Sequence, residues 1–139
     1  MTSVSLQSLL VSSKATTLDF PGFNGFTVDL NFLSRETLVN IRKKATKNTY
    51  KGRELKEELN DDLFLQLYSA AAIKGWNGLT FKTLEQLAPV DISGQKPEDE
   101  LEFSADNALF LMKNSTQFDS FVSESVTELG NFQKPSAKK

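Results

Sequence analysis

The chain of 139 residues has no cysteine and no histidine. Without cysteine there is no disulfide framework, no thiolate nucleophile and no zinc site of the common thiolate kinds. Without histidine the usual general base and the commonest transition-metal ligand are missing too. Apolar runs are short, and none approaches the length of a membrane span. The apolar stretch Val4 to Val11 has no basic region before it, so it reads as a mature N-terminus and not as a secretory signal. Aromatic rings with a polar edge are scarce as well, with two Tyr and one Trp against eleven Phe. Phenylalanine has no hydrogen-bonding handle, so most of these rings are expected in a core or against a partner.

The remaining residues allow one modest hydrophobic core. Net charge is −2, but its placement is uneven. Arg35, Arg42, Lys43, Lys44, Lys47, Lys51, Arg53 and Lys56 face only Glu36 and Glu54 in the same segment. From Glu85 to Glu128 the balance reverses, with ten acidic residues against Lys96 and Lys113. Such polarity can orient a partner or a second copy of the chain, and it also arises when two helices present solvated faces.

Catalysis without histidine or cysteine would need a carboxylate, lysine or hard-metal site. Asp61 and Asp62 are adjacent, so on a helix they diverge by about 100° and suit a helix N-terminus better than an ion. Glu98, Asp99, Glu100 and Glu102 lack the alternating ligands and glycine of a calcium loop. Glu54, Glu57 and Glu58 sit among lysines as ion-pair partners. No phosphate-cradling glycine loop or nucleophile elbow is present. The chain is therefore not expected to be an enzyme or to carry a metal or cofactor. The basic segment Arg42 to Lys56 has no interleaved aromatic except Tyr50 and no recognition motif, so nucleic acid is not an expected partner.

The chain order predicts an α+β fold, mainly helical, with an N-terminal β-hairpin packed on about four helices. Residues 1–15 are Ser-rich and expected to be flexible, 16–132 form one globular domain, and 133–139 form a disordered basic tail. Thr16–Phe20 and Phe26–Phe32 alternate polar and apolar residues around the turn Pro21–Gly25, which reads as the hairpin. Ser34 is positioned to cap a helix with Leu38, Ile41 and Ala45 on one stripe. Lys47–Leu59 is highly charged and reads as an exposed linker or loop with some helical tendency. A core helix is expected over Asp61–Ile73, ended by Gly75, with Trp76–Leu79 as a turn that places the indole against the helix end. A short helix at Leu84–Leu87 and a surface loop follow. Ser104 caps a helix over Ala105–Lys113, and Ser115 or Thr116 caps a last one. That helix carries Phe118, Phe121, Val122, Val126 and Leu129 up to Gly130, and Phe132 folds back onto it.

Three blocks carry a family resemblance: "FTVDLNFLSRETLVNIRKKA", "NDDLFLQLYSAAAIKGWNGLTF" and "LEFSADNALFLMKNSTQFDSFVSESVTELGNF". Their order over Phe26 to Phe132 resembles that of the tail assembly chaperones of long-tailed phages, in which a "GW-x-GL" turn and a closing "nF" recur. The matching positions are Trp76, Gly78, Leu79, Ser104, Ala108, Asn131 and Phe132. The resemblance implies a short strand ahead of Ser104, a helical tape measure protein as client, and tail tube protein as second partner. It further implies action in the host cytoplasm, absence from the mature virion, and in many relatives a longer product made by ribosomal frameshift. The basic Ala-Lys-Lys ending is where such slippage would fall. Phe118, Phe121, Phe132 and Trp76 are the candidate protein-binding residues, with self-association as a further expectation. The rival readings are a tail structural or completion protein of the virion and a small nucleic-acid-binding regulator.

Overall fold

The alternation Thr27-Val28-Asp29-Leu30-Asn31 gives a strand, β2 (Thr27–Asn31), that buries Val28 and Leu30 completely and leaves its polar neighbours half-exposed. In the computed structural model, which describes residues 3–9 and 14–132, β2 is the middle strand of a three-stranded antiparallel sheet. One neighbour is β1 (Ala15–Asp19), paired from Ala15 opposite Asn31 to Asp19 opposite Thr27. Thr17 Oγ1 donates to Asp29 Oδ1 at 2.6 Å between facing positions. Upstream, a helical turn α1 (Leu6–Leu9) leaves Leu6 and Leu9 exposed. The expected tail at 133–139 lies outside the described residues.

The other neighbour of β2 corrects the sequence reading. Helix α3 (Asp61–Ala72) stops at Ala72, and the chain turns straight into β5 (Ile73–Asn77), which pairs antiparallel with β2 through a bulge at Asp29/Leu30. The residues read as a helix end and a turn are thus the third strand. Gly75 is not a helix stop. It faces Asp29, and a Cβ there would come within 2.9 Å of Asp29 Oδ2. The free edge of β2 decides the conformation of Ile73–Asn77, as tertiary context commonly does for strands.

A second correction concerns residues 47–59. They belong to a separate hairpin, β3 (Thr46–Lys51) with β4 (Glu54–Leu59), in register from Thr46 opposite Leu59 to Lys51 opposite Glu54. Gly52 and Arg53 form its two-residue turn, with Gly52 at φ +68°. Glycine in the first position of such a turn supplies the twist that two antiparallel strands need. Helix α2 (Arg35–Ala45) leads directly into β3.

Among the described residues five helices follow α1, each at a segment that the sequence marks as helical: α2, α3, α4 (Phe81–Leu87), α5 (Ala105–Asn114) and α6 (Thr116–Val126). The fold is α+β. Ser34, Asn60, Thr80, Ser104 and Ser115 each accept a hydrogen bond from the N–H three residues on. Leu101–Phe103 forms no strand ahead of Ser104. This stretch is tied down by Leu101 N–H donating to the Leu79 carbonyl at 2.7 Å and by a bridge between Thr80 and Glu100.

Ser115 has two tasks. Its N–H donates to the Leu111 carbonyl at 2.9 Å and closes α5, while its Oγ accepts from Phe118 N–H at 3.1 Å and opens α6. The residue is 2% exposed, so water cannot replace the lost acceptor. Ser115→Ala is expected to lower unfolding free energy by about 1–2 kcal/mol. A loss of only a few tenths in urea titration would contradict this account.

Candidate protein-binding surface

The aromatic residues singled out in the sequence end in different environments. Phe118 lies in the first turn of α6 with no exposure. Its ring stacks on Phe20 (6.1 Å, 12°) and meets Trp76 edge-on (6.2 Å, 89°). Trp76, on β5, is 6% exposed. Its Nε1–H donates to the Leu101 carbonyl at 2.9 Å, and its ring meets Phe103 edge-on at 5.0 Å. Phe132 ends a 3₁₀ turn (Leu129–Phe132), is buried, and packs edge-on against Phe32 at 5.7 Å. Just before it, Asn131 Nδ2 donates to the Ser125 carbonyl at 3.2 Å and covers the end of α6. Side chains with at most 6% exposure offer a partner almost no surface while the fold is intact. Phe118, Phe132 and Trp76 therefore serve the core.

Phe121 differs. It follows Phe118 by three residues on α6, so the two lie on one side of the helix, but Phe121 sits at the edge of the buried face. It is half-buried against Phe20, with ring centroids 4.7 Å apart. Together with Pro21, Gln117, Ser120 and Glu124 these rings line a surface hollow of about 230 Å³. Of the four candidates it is the one that reaches solvent.

Behind α6 the helices are joined by polar contacts. Tyr68 on α3 shares a hydrogen bond with Ser123 (3.3 Å), whose Oγ donates to Asp119 Oδ1 (3.4 Å). Burial raises the Tyr68 phenol pKa, the Ser123 hydrogen bond opposes this, and the Asp119 charge adds to the rise. The unfolded chain therefore loses this proton first. The titration of Tyr68 should leave stability unchanged below the ordinary phenol value of about 10, and should lower it as pH climbs from there through the raised folded value. Melting temperatures between pH 7 and 11 for the native chain and Tyr68→Phe test this. The variant should lose less on the alkaline side, and identical slopes would contradict the assignment.

The carboxylates considered for chemistry stay apart. Asp61 and Asp62 occupy the first turn of α3, and Asp62 lies 3.8 Å from Lys113 in an exposed pair of small energetic weight. Among the described residues no three acidic side chains converge as a metal site would require. No helix among them is long and apolar enough to cross a membrane.

A further group of surface residues escaped the sequence reading. Val39, Tyr50 and Leu55 are exposed apolar side chains on α2 and the second hairpin. Tyr50 and Leu55 face each other across the ladder. The signal that could have located them is the two-residue turn at Gly52 with Tyr50 and Leu55 placed symmetrically about it. Phe110 and Leu129 are also exposed, at 40% and 45%.

A family model described as YdaY prophage protein matches residues 34–139, about three-quarters of the chain, beginning at the N-cap of α2. No curated protein and no solved structure matches.

Proposed function

We propose, from the premise that this chain belongs to the YdaY prophage protein family, that it is a phage tail assembly chaperone. It binds the helical tape measure protein, keeps the apolar stripes of that client from aggregating, and hands it to tail tube subunits as they polymerise. The chain acts without catalysis, metal or cofactor, in the host cytoplasm, and leaves before the virion matures.

The observation that carries this reading is the contrast between a closed aromatic core and large apolar side chains left in solvent, Tyr50, Leu55, Phe110 and Leu129 among them. Binding a client reversibly needs apolar surface that does not collapse into the binder's own core. Two features of the resemblance support the reading by giving its motifs a physical task. In the "GW-x-GL" motif, Trp76 and Leu79 are both tied to Leu101, and in the closing "nF" Asn131 caps α6 while Phe132 plugs the core. Those ties explain fold-defining residues, and Phe121 remains the member of the aromatic stripe able to reach a client.

The test is coexpression with the gene for the longest helical protein encoded nearby. The client should shift from the pellet to the soluble fraction and co-purify with this chain, while purified particles should lack the chain. Presence in particles at fixed stoichiometry would replace the chaperone with a tail structural or completion part. Salt-dependent DNA binding with no client capture would replace it with a nucleic-acid-binding regulator.

A further inference from the structure

The hairpin β3–β4 raises a physical question. Two strands alone are marginal in water unless a further element covers one face. Here most of the hairpin is exposed, and none of its described side chains joins the main core. Helix α2 packs on it, and the two elements enclose an open cleft of about 360 Å³ lined by Val39, Arg42, Lys43, Thr46, Asn48 and Glu57.

The register shows what lies along this cleft. Asn48 and Glu57 face each other, as do Tyr50 and Leu55 one step nearer the turn. Side chains two residues apart share a face of a strand, so the Tyr50–Leu55 pair continues the cleft wall toward the tip. Val39 thus lines the cleft beside its polar row, and the apolar pair stands beyond that lining toward the tip, at 75% exposure for Tyr50 and 54% for Leu55. One step along a strand pair is about 6–7 Å, close to the rise of about 6 Å between residues i and i+4 of a helix. Two cations, Arg42 and Lys43, line the cleft against one carboxylate, Glu57.

We infer that the cleft between α2 and the β3–β4 hairpin is a docking groove for an amphipathic helix whose apolar stripe is flanked by carboxylates. The apolar pair and Val39 take the stripe, and Arg42 and Lys43 take the acidic flank. Nucleic acid suits the cleft less well, because Glu57 lies among the cations and the exposed Val39, Tyr50 and Leu55 offer phosphates no partner. The groove rests on the chaperone reading only for the identity of the protein that owns the helix.

The experiment titrates the full chain with two synthetic helical peptides sharing one apolar i, i+3, i+4, i+7 stripe, one flanked by Glu and the other by Lys. Fluorescence anisotropy and sedimentation are read at low and moderate salt. The Glu peptide should bind more tightly than the Lys peptide, with a preference that shrinks as salt rises. The double variant Tyr50→Ser/Leu55→Ser should lose about tenfold or more in affinity with an unchanged melting temperature, since both side chains are exposed. Phe121→Ser should leave peptide affinity unchanged. Equal binding of the two peptides, or full binding by the double variant, would overturn the inference. So would self-association abolished by that variant without peptide binding, because the occupant would then be a second copy. Capture of DNA in place of the peptides overturns it as well. Peptide binding with no client solubilised in coexpression leaves the groove standing and removes the chaperone reading; client binding unaffected by the double variant does the reverse.

Discussion

Phe118→Ala is expected to lower unfolding free energy by about 3–5 kcal/mol, the usual loss for removing a fully buried aromatic ring. The ring lies between Phe20 and Trp76 and has no exposure, so the substitution leaves a cavity between α6 and the sheet that backbone movement can only partly close. Urea unfolding followed by Trp76 fluorescence reports it directly, because the indole loses an edge-on neighbour. Phe121→Ala is the comparison. Its ring is already partly in solvent, so about 1 kcal/mol is expected from the smaller area returned to water. A chain that tolerates Phe118→Ala better than Phe121→Ala would place the boundary of the core on the wrong side of α6.

Gly78→Ala should be nearly as damaging although it adds a single methyl. Gly78 has φ +79°, a region that costs a residue with a Cβ about 1–2 kcal/mol. A Cβ at this site would also overlap the carbonyl oxygen of Gly25, which is backbone and cannot rotate away. Relief would require the turn before β2 to separate from the turn after β5, breaking the contact that sets both strands. A total above about 3 kcal/mol is expected, in the range reserved for strain at a special backbone position. Gly52→Ala is the control. It has φ +68° with nothing near its Cβ, so it should cost about 1 kcal/mol from the backbone alone. Near-equal losses at both glycines, measured by thermal and denaturant unfolding, would mean that the approach to Gly25 carries no weight.

Much of the fold could be read from residues whose local signal agrees with their tertiary role. Val28 and Leu30 alternate with polar neighbours and are buried as alternation demands. Ser34, Asn60, Ser104 and Ser115 cap the helices that they precede. The unread parts are those where tertiary pairing outweighs local propensity. Ile73–Asn77 contains a glycine and a lysine and follows a strong helix former without a break, so nothing local announces a strand. Its conformation is fixed by the unpaired edge of β2, more than forty residues earlier. Lys47–Leu59 failed for another reason. Its charge density masks a period of two, although the position of Gly52 between Tyr50 and Leu55 suits a two-residue turn. The apolar stripe of α6 runs from Phe118 to Val126 and stops short of Leu129, which is exposed beyond the helix end, and periodicity alone cannot tell the centre of a buried face from its edge. Phe118 and Phe121 differ in that respect only.

The way the sheet is wound sets the order in which this chain can fold. β2 is paired on one side with a strand that directly precedes it, and on the other with a strand that follows α2, the second hairpin and α3. At its exit, Leu33 N–H donates to the carbonyl of Val126, near the end of α6, and Phe32 packs on Phe132. During synthesis the first hairpin therefore emerges with Val28 and Leu30 uncovered, and its apolar face closes only as α3, β5 and finally α6, all in contact with β2, leave the ribosome. Contacts this distant in sequence slow folding, because the loop must close before the contacts stabilise it. The exposed intermediate is the species most open to aggregation and to capture by host folding factors. Yield in cells should thus respond to translation speed and temperature more steeply than the melting point would suggest, while the β3–β4 hairpin, whose pairing is entirely local, forms early and independently of that delay.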